Sequence, residues 1–561
     1  MNDLLLSVPP WVAFLLAAAV AFVAPRRIGY LVGVLATAIT VPWLLLAPAE
    51  STLVVSSLGF EQTLYRVDAL ARPVAAVFGV AATLAVAYAY ATDADARTNA
   101  YALAHMGVAV AAVLVGDWLS LLVAWELLAV TATVLVWHHG GTAVRPGFRY
   151  AVYHLVGGAL LVAAVVLHYT AVGTFAMGVG FADGLPTALA VLGVGVNLGF
   201  VGLHYWVPDT YPRPHVAASV VLAGFTTKVA VYALARVVPD GSALVAWMGG
   251  AMVLYAVWMA VLQTDVRRLL SYHIVSQVGY MVAAIGVGTA AGTAGAVAHL
   301  STHVLYKGLL FMVAGALLYR TGTESLKRLG GLGRRMPLTF AVFLVAALAI
   351  SGVPGFSGFV SKGLVLKAVE QRGGDLLWWA LVIGGVGTVL SFAKVGYYAF
   401  VRTAPEPLDV RPAPLALSAV LLVAAVPSIA FGLAPDLLYG ALPGDTGGFA
   451  PYAAAELTKV ALVTAAGVLA FATLRDAIAR VPSADVDRLL HPVAFRLATA
   501  SADAVIAAGR RADGALATAL SRSTDRLADD DRRDPLGGRF GTTLLVVAAA
   551  LGVALLVAQL G

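Results

Sequence analysis

The sequence predicts an all-α polytopic membrane protein, and three observations carry that prediction. Of 561 residues, 60% are hydrophobic and only 12% charged, where soluble domains carry about a quarter. Apolar runs of about twenty residues, enough to cross roughly 30 Å of hydrocarbon at about 1.5 Å of helix rise per residue, recur along the chain. Basic residues gather in alternate loops between those runs. Together these exclude a secreted enzyme, a disordered scaffold and a nucleic-acid binder. The formal charge of +6 reflects loop arginines that orient the chain rather than a phosphate-binding face. Cysteine is absent, which removes disulfides, thiolate metal sites, Cys-ligated iron–sulfur clusters and cysteine nucleophiles. No cofactor is expected on this chain, and a redox centre would have to sit on another polypeptide.

In order, the runs are 9–24, 28–47, 68–91, 100–116, 118–138, 147–171, 186–206, 214–238, 242–263, 267–289, 291–319, 336–370, 374–402, 413–435, 455–474 and 541–560. The N-terminus, MNDLLLSVPPW, has no basic stretch before its apolar run, so the first helix is expected to stay as an anchor. The twelfth run is too long for one straight helix and carries SGVPGFSGF at 351–359, a Gly/Pro interruption that predicts a broken helix lining a polar cavity. Arg26, Arg27, Arg97, Arg145, Arg149, Arg213, Arg267, Arg268, Arg320, Lys327, Arg328, Arg334 and Arg335 all follow odd-numbered runs. The N-terminus is therefore expected outside and the basic loops in the cytoplasm. Between the last two runs, 475–540 mixes Arg and Asp with Leu489, Leu490, Val493, Val505, Ile506, Leu516 and Leu520. That pattern predicts an amphipathic cytoplasmic-side helix broken near Pro482 and Pro492.

Charged groups inside apolar runs cost on the order of 3 kcal/mol near the bilayer centre, so each is a functional candidate until a structural partner is found. Arginine serves the loops, whereas Lys228, Lys307, Lys362 and Lys394 lie in or at the edges of apolar runs. The distinction has a chemical reason: a desolvated lysine can release its proton, and arginine in practice cannot. Static pairing or snorkelling is the alternative for each. Glu126 lies mid-run and must be either protonated or partnered. Asp117, at the membrane edge, reads as a helix cap. His299 and His303 are four residues apart, with Lys307 four further on, so three titratable groups share one helix face. A proton wire suits that spacing better than a metal site, since no carboxylate accompanies the pair. His154 and His273 read as hydrogen-bonded core histidines. Lys362 to Lys394 is 32 residues and Asn197 to Lys228 is 31, which suggests two five-helix units, 100–238 and 242–402.

At these residues the chain resembles a known family. WELL around Glu126, HYWVPDTYPRPHVAASVVLAGFTTKVAVYALAR at 204–236, QTDVRRLLSYHIVSQVGYM at 263–281, HLSTHVLYKGLLF at 299–311 and GVPGFSGFVSKGLVLKA at 352–368 are similar to the antiporter-like membrane subunits shared by respiratory complex I and the multisubunit Mrp-type sodium/proton antiporters, the D-type Mrp component above all. The resemblance covers about residues 60–405. It implies about fourteen core transmembrane helices with two inverted five-helix repeats, broken seventh and twelfth helices, and a mid-membrane proton relay. Carried over by motif, Glu126 is the fifth-helix glutamate, Lys228 the eighth-helix lysine, His299, His303 and Lys307 the eleventh-helix relay and Lys362 the twelfth-helix lysine. One departure matters: the seventh-helix lysine expected nine residues before Trp206 is Asn197, which can bind water but carry no proton. Left without that cationic partner, Glu126 is expected to hold its proton, and either the first half-channel uses a different relay or only the second half is proton-active.

The resulting expectation is a proton-conducting subunit of a multisubunit cation (Na+)/proton antiporter, using Glu126, Lys228, His299, His303, Lys307, Lys362 and Lys394. The alternatives are a proton-translocating subunit of a complex I-like quinone oxidoreductase and a non-conducting structural subunit. In no case does the chain read as an enzyme by itself. Partners would be other membrane subunits, the lipid bilayer, protons and Na+, with no nucleic acid and no metal, and the location the cell membrane. The domains read as N-terminal helices 1–95, repeats 100–238 and 242–402, further helices 403–474, the amphipathic segment 475–540 and a last span 541–560.

Overall fold

A computed structural model of the chain describes residues 8–57, 59–411, 413–483 and 485. The helices are α1 (Pro10–Val23), α2 (Arg26–Ala38), α3 (Thr40–Leu46), α4 (Ala71–Ala91), α5 (Ala96–Leu114), α6 (Trp118–Trp137), α7 (Val144–Val172), α8 (Leu185–Leu198), α9 (Trp206–Thr210), α10 (Val216–Gly224), α11 (Thr226–Val237) and α12 (Ala243–Leu262). They continue as α13 (Val266–Gly286), α14 (Ala290–Thr321), α15 (Leu332–Arg335), α16 (Pro337–Ser351), α17 (Ser357–Arg372), α18 (Asp375–Val395, extended by a π-helical turn over Gly396–Val401), α19 (Leu415–Leu433), α20 (Asp436–Tyr439) and α21 (Ala454–Ile478). Each of the first fifteen apolar runs coincides with a helix or a helix pair, and the run 541–560 lies outside the described residues. Eleven helical stretches are long and apolar enough by themselves to cross a membrane. The protein is a multi-pass membrane protein.

Local chemistry fixes the element ends. Asp95, Asp117 and Asp265 cap α5, α6 and α13 by accepting the backbone N–H three residues on, at 2.6, 2.7 and 2.8 Å, the usual service of a short acceptor at a helix start. Asp117 is thus the cap its position predicts. Glycines in the left-handed region close α7, α8, α14 and α16 at Gly173, Gly199, Gly322 and Gly352, where a side chain would be strained. One element was not foreseen. Residues 51–67 form an antiparallel hairpin, β1 (Ser51–Ser57) with β2 (Phe60–Val67), tied to the start of α6 by the Thr63 N–H donating to Asp117 Oδ2 at 2.6 Å.

Burial separates a centre from a rim. The spans Val216–Val237, Val266–Gly286 and Ala290–Thr321 are wholly buried over their apolar windows, while Ala454–Ile478 is 11% buried. Lipid offers little driving force between apolar helices, so close approach depends on small residues. Gly249 of α12 and Gly279 of α13 illustrate this: a Cβ on either would strike the backbone of the other helix. The central helices α11, α13 and α14 therefore carry the polar residues of the bundle away from lipid, including Lys228, His273, Gln277, His299, His303 and Lys307.

Besides the division of the second span at Ile39, three breaks among the described residues bear on the buried polar groups. The seventh stops at Leu198 and resumes at Trp206, through Gly199 (φ +76°) and Gly202 (φ +91°). The twelfth stops at Ser351 and resumes at Ser357, where the Gly/Pro interruption predicts it. The third break, in the eighth span, was not foreseen: Phe225 has φ −113° and ψ −61° and separates α10 from α11, three residues before Lys228.

Candidate functional site

Helix breaks release backbone carbonyls, and the buried lysines are bonded to them. Ile350 lies in the last turn of α16, and the residue four ahead that would donate to its carbonyl is Pro354, which has no N–H. Lys362 supplies the missing donor, its Nζ 2.7 Å from that oxygen, and lies 4.9 Å over the Tyr280 ring. At the break in the eighth span the Lys228 Nζ donates to the Ala223 carbonyl at 2.6 Å and to Thr227 Oγ1 at 3.0 Å. Both ammonium groups therefore sit at the negative end of a helix segment. Neither has a carboxylate partner among the described residues. Each is held by neutral oxygens, which stabilise a charge without fixing it.

Between the two lysines runs α14. His299, His303 and Lys307 are all fully buried on it. His299 Nδ1 shares a hydrogen bond of 3.0 Å with Ser361 Oγ, the residue next to Lys362, and Thr302 Oγ1 lies 2.8 Å from the same oxygen. The rings of His299 and His303 are 6.2 Å apart, and His303 lies 5.3 Å from Tyr306. Lys307 is within electrostatic reach of both Lys228 and Lys362, and His303 of all four other groups. Lys307 Nζ, both nitrogens of His303 and Nε2 of His299 have no hydrogen-bond partner among the described residues. Buried polar atoms of this kind are ordinarily satisfied by ordered water. The five groups form a row linked by electrostatic reach, with Lys228 at the eighth-span break and Lys362 at the twelfth-span break.

Other candidates stand apart from that row. Glu126 is half-buried on α6, with exposed Val123, Leu127 and Val130 on neighbouring positions, and its carboxyl lies against Gly158 of α7, where a Cβ would collide with it. No ion pair among the described residues involves it. Asn197 is buried at the end of α8, with neither side-chain amide atom bonded to another described residue. Lys394 donates to the Val261 and Gln263 carbonyls at 2.6 and 2.7 Å, at the C-terminal end of α12. His154 is the core histidine expected of it, bonded through Nδ1 to the Tyr150 carbonyl at 2.9 Å. His273 differs: neither of its nitrogens has a hydrogen-bond partner among the described residues, and it lies within electrostatic reach of Lys307 and Lys362, because α13 turns it into the row rather than toward a backbone acceptor.

Two features escaped the sequence reading. His105 on α5 joins Thr131 Oγ1 at 3.1 Å to Thr226 Oγ1 at 3.3 Å, two residues from Lys228. As a histidine inside the fourth apolar run it met the same criterion as the others. Asp485, beyond α21, is buried and accepts hydrogen bonds from the Tyr255 and Tyr272 hydroxyls. His204, in the break of the seventh span, lies 3.4 Å from it. Burial pushes the Asp485 carboxyl up, but His204 and the two tyrosines outweigh it and hold the group below the usual carboxylate range. Nothing local in the sequence marks that contact, which spans more than two hundred residues.

Residues 115–391 match the family described as NADH:quinone oxidoreductase/Mrp antiporter, transmembrane. The D component of the Na(+)/H(+) antiporter of Alkalihalophilus pseudofirmus is 32% identical over 358 residues, covering 60% of this chain and 72% of that protein. The N component of the NADH-quinone oxidoreductase of Desulforudis audaxviator is 29% identical, over 52% of this chain and 62% of that protein. Among solved structures, a chain of the Mrp complex from Dietzia sp. DQ12-45-1b superposes with a TM-score of 0.70 at 24% identity, covering 84% of this chain and 99% of that one. That last likeness establishes the fold.

Proposed function

The chain belongs to the NADH:quinone oxidoreductase/Mrp antiporter transmembrane family, and we propose that it is the proton-conducting subunit of a multisubunit Na+/proton antiporter. The observation that carries this reading is the row Lys228, Lys307, His303, His299 and Lys362, whose terminal lysines are held by neutral oxygens at helix breaks. A lysine bonded to carbonyls can exist with or without its proton, and water at a broken helix can reach it from one side at a time. Protons pass along the row, which starts at Lys228 of the first half and runs through the second half, 242–402. The first half, 100–238, has Asn197 where the family motif places a lysine, and Glu126 stands clear of the row. Lys394 lies at the cytoplasmic end of the path.

The partners are other membrane subunits, and the cation path lies wholly or partly on them. The relatives named as quinone oxidoreductase subunits support a second reading, in which a redox partner drives the same row. Purification of the tagged chain from its native membrane in mild detergent separates the two. Colourless membrane subunits alone support the antiporter. Hydrophilic partners with flavin or iron–sulfur absorption would replace it with the redox-driven pump. The location is the cell membrane, with the N-terminus outside and the basic loops cytoplasmic. Because the chain has no cysteine, single-cysteine labelling from each side tests this orientation against no background.

A further inference from the structure

A basic cavity lies away from the row. Of about 450 Å³, it opens between α12, α18 and α21 and is lined by Lys327, Lys394, Arg402, Arg475 and Arg480, with no acid among the described residues of its wall. Thr264, Tyr398 and Ser483 add polar atoms, and an apolar wall is made by Leu262, Leu390 and, from the peripheral α21, Phe471 and Ile478. The loops that meet there follow the ninth, eleventh, thirteenth and fifteenth spans, so they share one membrane face, the basic one.

The five cations are incompletely compensated. Lys394 and Arg402 are committed to backbone carbonyls, Arg402 to those of Leu326, Lys327 and Leu329 at 2.9, 2.9 and 3.3 Å. These bonds position the charges without cancelling them, and Arg402 Nε is buried without a protein partner. The acid beside Arg475 is exposed Asp476, at 3.7 Å. Like charges gathered at a half-buried site repel one another unless an anion joins them. A polar, basic end at the membrane surface with an apolar wall facing the rim has the shape of a phospholipid rather than of a small ion.

We propose that this cavity binds the phosphate headgroup of an anionic phospholipid from the cytoplasmic leaflet, with an acyl chain along Phe471 and Ile478. Lys394 then serves as a ligand of that headgroup. The lipid cements peripheral α21 to the bundle. The same chemistry would accept free phosphate, and the test separates the two sources.

The full chain, purified in mild detergent, is compared with the Lys327→Gln/Arg475→Gln/Arg480→Gln variant, which spares the carbonyl-bonded Lys394 and Arg402. Native mass spectrometry and phosphorus assay of extracted lipid should find retained anionic phospholipid in the parent and roughly tenfold less in the variant. Equal retention overturns the proposal. In delipidated protein, melting is followed with short-chain phosphatidylglycerol, phosphatidylcholine of equal chain length, and inorganic phosphate. Stabilisation by phosphatidylglycerol alone, lost in the variant, supports a lipid site. Equal stabilisation by inorganic phosphate overturns the lipid and leaves a free-anion site. Equal shifts with both lipids, or a variant that responds like the parent, overturn both. Should the triple variant fail to fold, Arg480→Gln, whose side chain makes no hydrogen bond or ion pair among the described residues, gives the same readout.

Discussion

Replacing Lys362 separates charge from proton transfer. Lys362→Met removes a charge-assisted hydrogen bond to the Ile350 carbonyl, 2.7 Å long, worth about 1.5–3 kcal/mol. It also removes a buried ammonium whose desolvation costs several kcal/mol, so an apolar group of similar length offsets much of the loss. The net change in stability is expected within about 2 kcal/mol, a shift of a few degrees in melting. Lys362→Arg keeps the charge and the donor, and the cavity of about 170 Å³ beside Lys362, lined by Trp378, Trp379 and Leu366, has room for the larger group. It cannot release a proton. Both variants are therefore expected to fold and assemble, and both to lose Na+-dependent proton exchange by roughly a hundredfold or more, the scale of a lost acid–base group. The assay is dye-reported collapse of ΔpH in everted vesicles after Na+ addition, beside a melting curve of the purified protein. Exchange by Lys362→Arg within twofold of the parent would refute the relay and make Lys362 a structural cap of α16.

Asn197→Lys restores the family's missing cation and is expected to draw Glu126 into a pair; unchanged exchange together with unchanged titration of Glu126 by infrared difference spectroscopy would sink that idea. Gly158→Ala places a methyl where the Glu126 carboxyl lies, and because that carboxyl ends a flexible, half-buried side chain that can swing aside, the cost should stay below about 1 kcal/mol; a larger drop in melting temperature would show the carboxyl to be held in place. Asp485→Asn leaves Tyr255 and Tyr272 with a weaker acceptor and should lower stability by about 1–3 kcal/mol at neutral pH. Because the folded-state pKa of Asp485 is depressed, its stabilisation is present above the unfolded carboxylate value and fades as pH falls below about 4. A parent–variant melting difference that is flat from neutral pH into that range contradicts the account.

Most of the span architecture was legible because a bilayer allows few solutions: runs of the right length, with Arg in alternate loops, leave little freedom in where helices begin. The break at 352–356 announced itself through Gly352, Pro354 and Gly355. The break at Phe225 did not, since FTTK contains no residue that forbids a helix and the kink is imposed by packing in a fully buried span. The same tertiary context makes Lys228 a helix-break lysine like Lys362, rather than a mid-helix one. The hairpin at 51–67 lies between apolar runs, where a search tuned to spans gives no signal. The surroundings of His273 were not legible because periodicity places a residue on a face without saying which neighbours that face meets. Asp485 could only be found by folding.

Lys307 lies in the middle of the row, fully buried and within electrostatic reach of Lys228 and Lys362, and no hydrogen bond to another described residue gives it a static role. Na+-induced collapse of ΔpH, measured in everted vesicles carrying the assembled complex with Lys307→Met, tests the central claim most directly. The account predicts normal assembly and no exchange. Exchange at the parent rate from the same variant would contradict it.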